Sequence, residues 1–272
     1  MAKSGGTRTR VITGSIILLV LGVCLWIGPV TRILFFYAMI WFGAREMSDA
    51  LDRMGFHTTP WIARALGAAH AVLFLLHDTV VFHLSAIILI VIGTMAVGMF
   101  RRLRIVDLLG SLSICFYPVV FYVGFCHLAV QPDAFLYPVV FTTLFATSFC
   151  DAFAYFCGRW FGRRKLFPSI SPNKTVEGSV SGTVIGTASG VLTWLIMRNF
   201  NPTPLFVYVI ASFFCTIAGQ IGDLCASAIK RQAGIKDFSN LLPGHGGVID
   251  RMDSFSFAMP TAMIVLHLFR VF

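Results

Sequence analysis

Long apolar runs separated by short polar loops set the pattern of this chain. Stretches approaching the ~20 residues that cross a hydrocarbon core of about 30 Å recur from end to end. Nine are predicted, at 11–30, 32–48, 61–77, 79–99, 107–129, 134–157, 179–198, 203–226 and 254–271. Arg64, His70 and His77 interrupt the third, so a re-entrant or interfacial helix is the alternative there. The first run lacks a small-residue cleavage site and is followed at once by a second span, which marks a retained helix and not a signal peptide. The predicted architecture is all-α and polytopic, with helices 1–4 in residues 1–106 and helices 5–9 in residues 107–272.

Composition agrees. The chain is 57% hydrophobic and 12% charged, with a mean hydropathy of +0.82, and this excludes a soluble globular domain. Charge placement orients it. With the N-terminus in the cytoplasm, only Arg32, Arg198 and Arg270 of the 21 basic residues fall outside. A miscounted span would scramble that partition, because it swaps every later loop across the membrane. The expectation is N-in and C-out, in a bacterial plasma membrane or an ER-type organellar membrane. The net charge of +9 is then mainly a topology signal that suits an anionic cytoplasmic leaflet, with no support for nucleic-acid binding.

Several features invite plain readings. The seven cysteines all fall in spans without a CxxC pair, and read as small apolar packing residues. His57, His70, His77, His83, His127 and His267 lack ligand spacing. The sequon Asn173-Lys-Thr175 lies in a loop assigned to the cytoplasm. Gly178, Gly182, Gly186 and Gly190 recur every four residues, a groove for close helix packing within the chain in preference to a dimer seam.

The carboxylates carry more information. Asp151 and Asp223 sit in otherwise apolar runs near the cytoplasmic ends of the sixth and eighth spans. An isolated buried carboxylate costs several kcal/mol, so each calls for a cation, a metal or water. Asp237, Asp250 and Asp253 fall on the same membrane side, and convergence on one metal site is expected. Asp250 and Asp253 share a helix face if the ninth helix begins there. Gly244, Gly246 and Gly247 precede it, and a glycine-led helix N-terminus offers N–H groups to phosphate.

Two polar loops, 158–178 and 227–253, hold the concentrated charge. Lys and Arg neutralise phosphate oxygens while Asp holds Mg²⁺, so cations beside carboxylates suit a phosphate-plus-metal ligand. Positive-inside anchoring alone would explain Arg163, Arg164 and Lys165. Ser171, Lys174 and Thr175 immediately precede a helix whose N-terminus favours anions. No Walker loop or dinucleotide fingerprint is present.

The pattern S-x-[apolar]-K-R-x4-K-D-x-S-x2-L-P-G-H-G-G-x-[apolar]-D-R-[apolar]-D, complete from Ser227 to Asp253, resembles the signature of the CDP-diacylglycerol synthases, the phosphatidate cytidylyltransferases. The blocks from Asp151 to Gly158 and from Ser171 to Gly178 resemble the family's other polar segments, so the similarity covers the C-terminal half clearly. Ala226 stands where members commonly have Glu, and Ala152 where a hydroxyl residue is common.

The resemblance implies that CTP and phosphatidate, the latter from the cytoplasmic leaflet, are converted to CDP-diacylglycerol and pyrophosphate. It assigns Asp223 and Asp250, supported by Asp253 and Asp151, to one or two divalent cations, chiefly Mg²⁺, with a monovalent cation possible. Lys230, Arg231 and Lys236 would clamp phosphates, as would Arg251; Asp237 and His245 would orient the loop with Gly246 and Gly247. Ser171, Lys174 and Thr175 would complete the phosphate pocket, and a homodimer is carried over from the family. The alternatives are a CTP-dependent lipid kinase, which needs the same tools, and a transporter with a cytoplasmic Asp cluster.

Overall fold

The computed structural model describes residues 7–61, 64–65, 80–200 and 202–269. It is mostly helical. The helices are α1 (Thr7–Ile27), α2 (Pro29–Arg53), α3 (Val80–Phe100), α4 (Ile105–Ile114), α5 (Phe121–Val130), α6 (Asp133–Phe161), α7 (Val176–Met197), α8 (Leu205–Gln232) and α9 (Val248–Leu268). Most of the expected third span, with His70 and His77, lies outside the described residues, as does Arg270. Among the described residues, four regions are long and apolar enough to cross a membrane: Ile105–Val130, Asp133–Phe161, Val176–Met197 and Leu205–Gln232. Shorter apolar stretches run over Ile12–Ile27 and Ile87–Phe100.

Three details depart from the hydropathy reading. The span expected at 107–129 is present as Ile105–Val130 but is kinked between α4 and α5 by a wide turn at Cys115–Val120, where Tyr117 is extended (φ −142°, ψ 118°) before Pro118. A residue preceding proline is pushed out of the helical region by the ring, which explains the kink. The second departure is a small antiparallel hairpin, β1 (Lys165–Phe167) and β2 (Ser171–Thr175), in the loop expected to be irregular. Pro168 and Pro172 deny this segment a helix, and Gly162 ends α6 before it. The third is the start of α9 at Val248, which puts Asp250 in its first turn.

The chain forms two compact units, residues 1–130 with 230–251, and residues 131–229 with 252–272. In the first, Gly28 and Pro29 separate α1 from α2, with proline at the first helical position. Ile40, Tyr122, Phe125 and Leu128 are fully buried there, and Phe36 packs on Phe125 with ring centroids 5.4 Å apart. The buried guanidinium of Arg32 donates to the Leu25 carbonyl at 2.6 and 2.9 Å, at a helix end where the residue four further on, Pro29, has no N–H to offer.

In the second unit α6 and α7 pack so closely that a methyl group would not fit between them. A Cβ at Gly182 would stand 2.7 Å from the Cys150 carbonyl oxygen, and one at Gly178 would meet the carbonyl of Ala154. Gly190 lies as tightly against the Tyr208 backbone of α8. The four-residue glycine spacing thus serves packing within the chain, as expected. All seven cysteines are free thiols, and Cys115, Cys126, Cys150 and Cys215 are buried.

Candidate active site

Within the second unit, a cavity of about 590 Å³ opens where the ends of α6 and α8 meet the hairpin and the start of α7. Asp151, Tyr155 and Arg159 line it from α6, Lys165 and Lys174 from the hairpin, and Gln220 and Asp223 from α8. Hydropathy singled out both aspartates, and the structure brings both to this cavity. The Nζ of Lys174 pairs with Oδ2 of Asp223, two groups that are each only partly exposed. A carboxylate inside an apolar helix is thereby given its cation, as the cost of burying it alone requires.

The walls are held by short local bonds. Thr175 is the N-cap of α7, and its hydroxyl accepts the Gly178 N–H at 3.1 Å. That hydroxyl lines the cavity but is engaged by the cap. Glu177 accepts the backbone N–H groups of Arg163 at 3.0 Å and Arg164 at 3.2 Å, tying the hairpin to the first turn of α7. On the opposite wall the Gln220 amide donates to Thr183 Oγ1 at 2.8 Å and accepts from Ser179 Oγ. Ser171 pairs with Phe167 at the far end of the hairpin and is not among the cavity-lining residues. Asp253 lies half-buried on α9, with its carboxylate accepting the N–H of Ser254 at 2.8 Å.

The loop 230–251 of the first unit is a separate, tightly bonded construction. It leaves α8 through Gly234 at φ +67°, where the Gly234 and Ile235 N–H groups return to the Arg231 and Lys230 carbonyls, the glycine-ended helix stop. Asp250 is 6% exposed. Its Oδ1 accepts from Lys230 Nζ at 2.7 Å, and its Oδ2 from the N–H groups of Phe238 at 2.8 Å and Gly247 at 2.9 Å. Lys230 also lies over the Phe238 ring, 5.6 Å from its centroid. Arg231, Lys236, Asp237 and Arg251 are exposed, and the His245 ring lies against Gly14 of α1.

The α9 N-terminus differs from its expected use. Its first N–H groups do not stand open for phosphate: Gly247 donates to Asp250, while Val248 and Ile249 donate to Glu46 of α2, both at 2.9 Å. The anion held at this helix start belongs to the chain itself. Gly246 and Gly247 make this possible. Gly246 has φ +83°, and a Cβ there would stand 2.7 Å from Asp250 Oδ2; one at Gly247 would stand 2.5 Å from both Glu46 oxygens. Glu46 escaped the sequence reading, although it meets the criterion that picked out Asp151 and Asp223, an acid within an apolar run.

Hard carboxylate oxygens beside amines fit Mg²⁺, which is commonly held by one or two carboxylates with substrate phosphates completing its shell. Among the described residues no three His, Cys, Asp or Glu side chains gather into one group, so the expected convergence of the aspartates on a single metal site is not seen. Ala226 is fully buried in α8, so this chain packs a methyl group where a glutamate would need a partner of its own.

Apolar helices long enough to span a bilayer, with a charged, carboxylate-bearing cavity at their ends, define a multi-pass membrane protein. The chain belongs to the cytidylyltransferase family, whose model matches residues 8–269. It is 31% identical over 265 residues to the phosphatidate cytidylyltransferase of Staphylococcus saprophyticus, covering 95% of this chain and 98% of that protein. Identity to the phosphatidate cytidylyltransferase of Bacillus subtilis is 44% over 119 residues, 44% of each chain. The same-named protein of Staphylococcus haemolyticus is 40% identical over 116 residues, 43% of this chain and 44% of its own length.

Proposed function

We propose that this chain is a phosphatidate cytidylyltransferase, and the observation that carries the reading is the α6–hairpin–α8 cavity with its Lys174–Asp223 pair. An oxygen of the phosphatidate monoester attacks the α-phosphorus of CTP; a P–O–P bond forms, and the bond to the leaving pyrophosphate breaks. The monoester dianion is already nucleophilic near neutral pH, so no general base is needed. The barrier lies in bringing two polyanions together, and positioning with charge neutralisation lowers it.

Lys174, Arg159 and Lys165 supply positive charge inside the cavity. Asp151 and Asp223 would hold Mg²⁺ there, and the metal would supply charge stabilisation to the phosphates. In the loop of the first unit, Lys230 is the largely buried phosphate-binding cation, Asp250 fixes it, and Asp237 is a supporting carboxylate; Asp253, on the part of α9 that belongs to the second unit, is a further supporting carboxylate. Arg231, Lys236 and Arg251 present exposed cations to phosphate, with His245, Gly246 and Gly247 shaping the turn that carries them.

The reading keeps N-in and C-out with nine spans and a cytoplasmic site, and neighbours within each unit support the shared side of the polar segments. Glu46, at the α2 end rich in arginine, touches the 239–249 segment. Lys174 of the 158–178 loop likewise touches the cytoplasmic end of α8. Purified protein supplied with phosphatidate, Mg²⁺ and CTP labelled at either the α or the γ phosphate tests the reaction. Label in lipid from α-labelled CTP alone, with pyrophosphate released, is expected. Label from the γ position with release of CDP would instead identify a lipid kinase.

A further inference from the structure

Glu46 lies on α2, 193 or more residues away in sequence from every group it holds. It is 4% exposed. Oε1 accepts Ser239 Oγ at 2.6 Å and the Val248 N–H at 2.9 Å, and Oε2 accepts the Ile249 N–H at 2.9 Å. Val248 and Ile249 are themselves buried, so without the carboxylate their donors would lack both protein and water. At the N-cap, Ser, Thr, Asp and Asn bring a helix start an acceptor of their own, whereas glycine brings no side-chain acceptor. Here that position is Gly247, whose missing Cβ is what lets the Glu46 oxygens approach.

Asp250 follows Ile249 directly and grips the same segment from within, through the N–H groups of Phe238 and Gly247. Two carboxylates, one from α2 and one from α9, thus clamp the strap between Phe238 and Ile249 at both ends. Lys230 is fixed in turn by Asp250 at 2.7 Å. Resting on the cytidylyltransferase reading above, we infer that Glu46 is a positioning residue for the transfer. It sets the first turn of α9 and so the placement of Asp250. Removing its charge lets that turn fray, and the reacting arrangement is populated a smaller fraction of the time while substrates still bind.

The test compares wild type, Glu46→Gln, Gly247→Ala and the double variant, each purified in detergent and shown to be folded. The measurements are kcat, KM for CTP and phosphatidate, and amide exchange over residues 238–251. In Glu46→Gln, kcat is expected to fall at least tenfold while both KM values stay within about twofold, the signature of lost transition-state placement. Amides of Val248, Ile249 and Asp250 are expected to exchange at least tenfold faster. Because Gly247→Ala pushes on the same carboxylate, the double variant is expected to be no worse than the poorer single one.

An active wild type with kcat within twofold in folded Glu46→Gln, or with unchanged exchange at 248–250, overturns the inference. A lowered KM also overturns it, since Glu46 would then be competing with a substrate phosphate for the helix start. If Glu46→Gln does not fold, Gly247→Ala alone decides, and normal kcat in it counts against positioning. A folded wild type that transfers no label overturns the reaction itself, an outcome distinct from an active wild type indifferent to Glu46.

Discussion

Lys230 Nζ stands 2.7 Å from Asp250 Oδ1, and the other oxygen of that carboxylate takes the N–H groups of Phe238 and Gly247. One side chain therefore places a cation and a loop together. In Asp250→Asn an amide replaces one oxygen and points a donor at donors, while Lys230 stays largely buried without a counter-charge. Turnover is expected to fall ~10²-fold or more, the scale of losing a charge-stabilising group. Steady-state kinetics at saturating Mg²⁺ check this, and near-normal turnover removes Asp250 from the catalytic machinery.

Lys230→Ala separates binding from placement. The lost cation is expected to raise the apparent KM for CTP or for phosphatidate by ~10-fold through weaker phosphate neutralisation. Titration of each substrate at saturation of the other reads it out. Unchanged KM for both would mean that Lys230 serves Asp250 alone.

The hairpin and α7 meet at Thr175, whose hydroxyl caps the helix. Thr175→Ala is expected to cost about 1 kcal/mol of stability and Thr175→Ser much less, because serine restores the acceptor. Thermal unfolding in detergent ranks the three proteins, and equal melting of Ala and Ser variants contradicts the cap.

Close approach of α6 and α7 gives a further expectation. Gly182→Ala places a methyl group 2.7 Å from the Cys150 carbonyl oxygen, so the helices must part. The expected loss is about 1–3 kcal/mol, as for overpacking elsewhere. The walls of the cavity move with them, so activity should fall alongside the melting temperature.

The carboxylate-bearing cavity also predicts metal dependence. Chelation with EDTA is expected to abolish transfer and added Mg²⁺ to restore it, because hard oxygen ligands favour Mg²⁺ over softer-site metals. Full activity in chelator would remove Asp151 and Asp223 from a metal role.

Much of this architecture was legible in hydropathy and spacing. The runs at 134–157, 179–198 and 203–226 became α6, α7 and α8, and the glycines of α7 turned inward as their spacing implied. Asp151 and Asp223 were found because a charge inside an apolar run demands a partner. Glu46 met the same test but lay beside Arg45 and Asp49, where an acid reads as a solvated helix end. Its partners are an amide pair and a hydroxyl far along the chain, and no local pattern records such contacts. The hairpin at 165–175 was too short for an alternation to register, and Pro118 was one residue in an otherwise continuous apolar run.

Transfer of α-labelled cytidylyl from CTP to phosphatidate, measured side by side for wild type and Asp223→Ala, bears most directly on the cavity as the site of reaction. Label should enter the lipid phase with wild type and drop at least ~10²-fold in the folded variant. Equal rates in the two proteins would place the chemistry away from the Lys174–Asp223 pair.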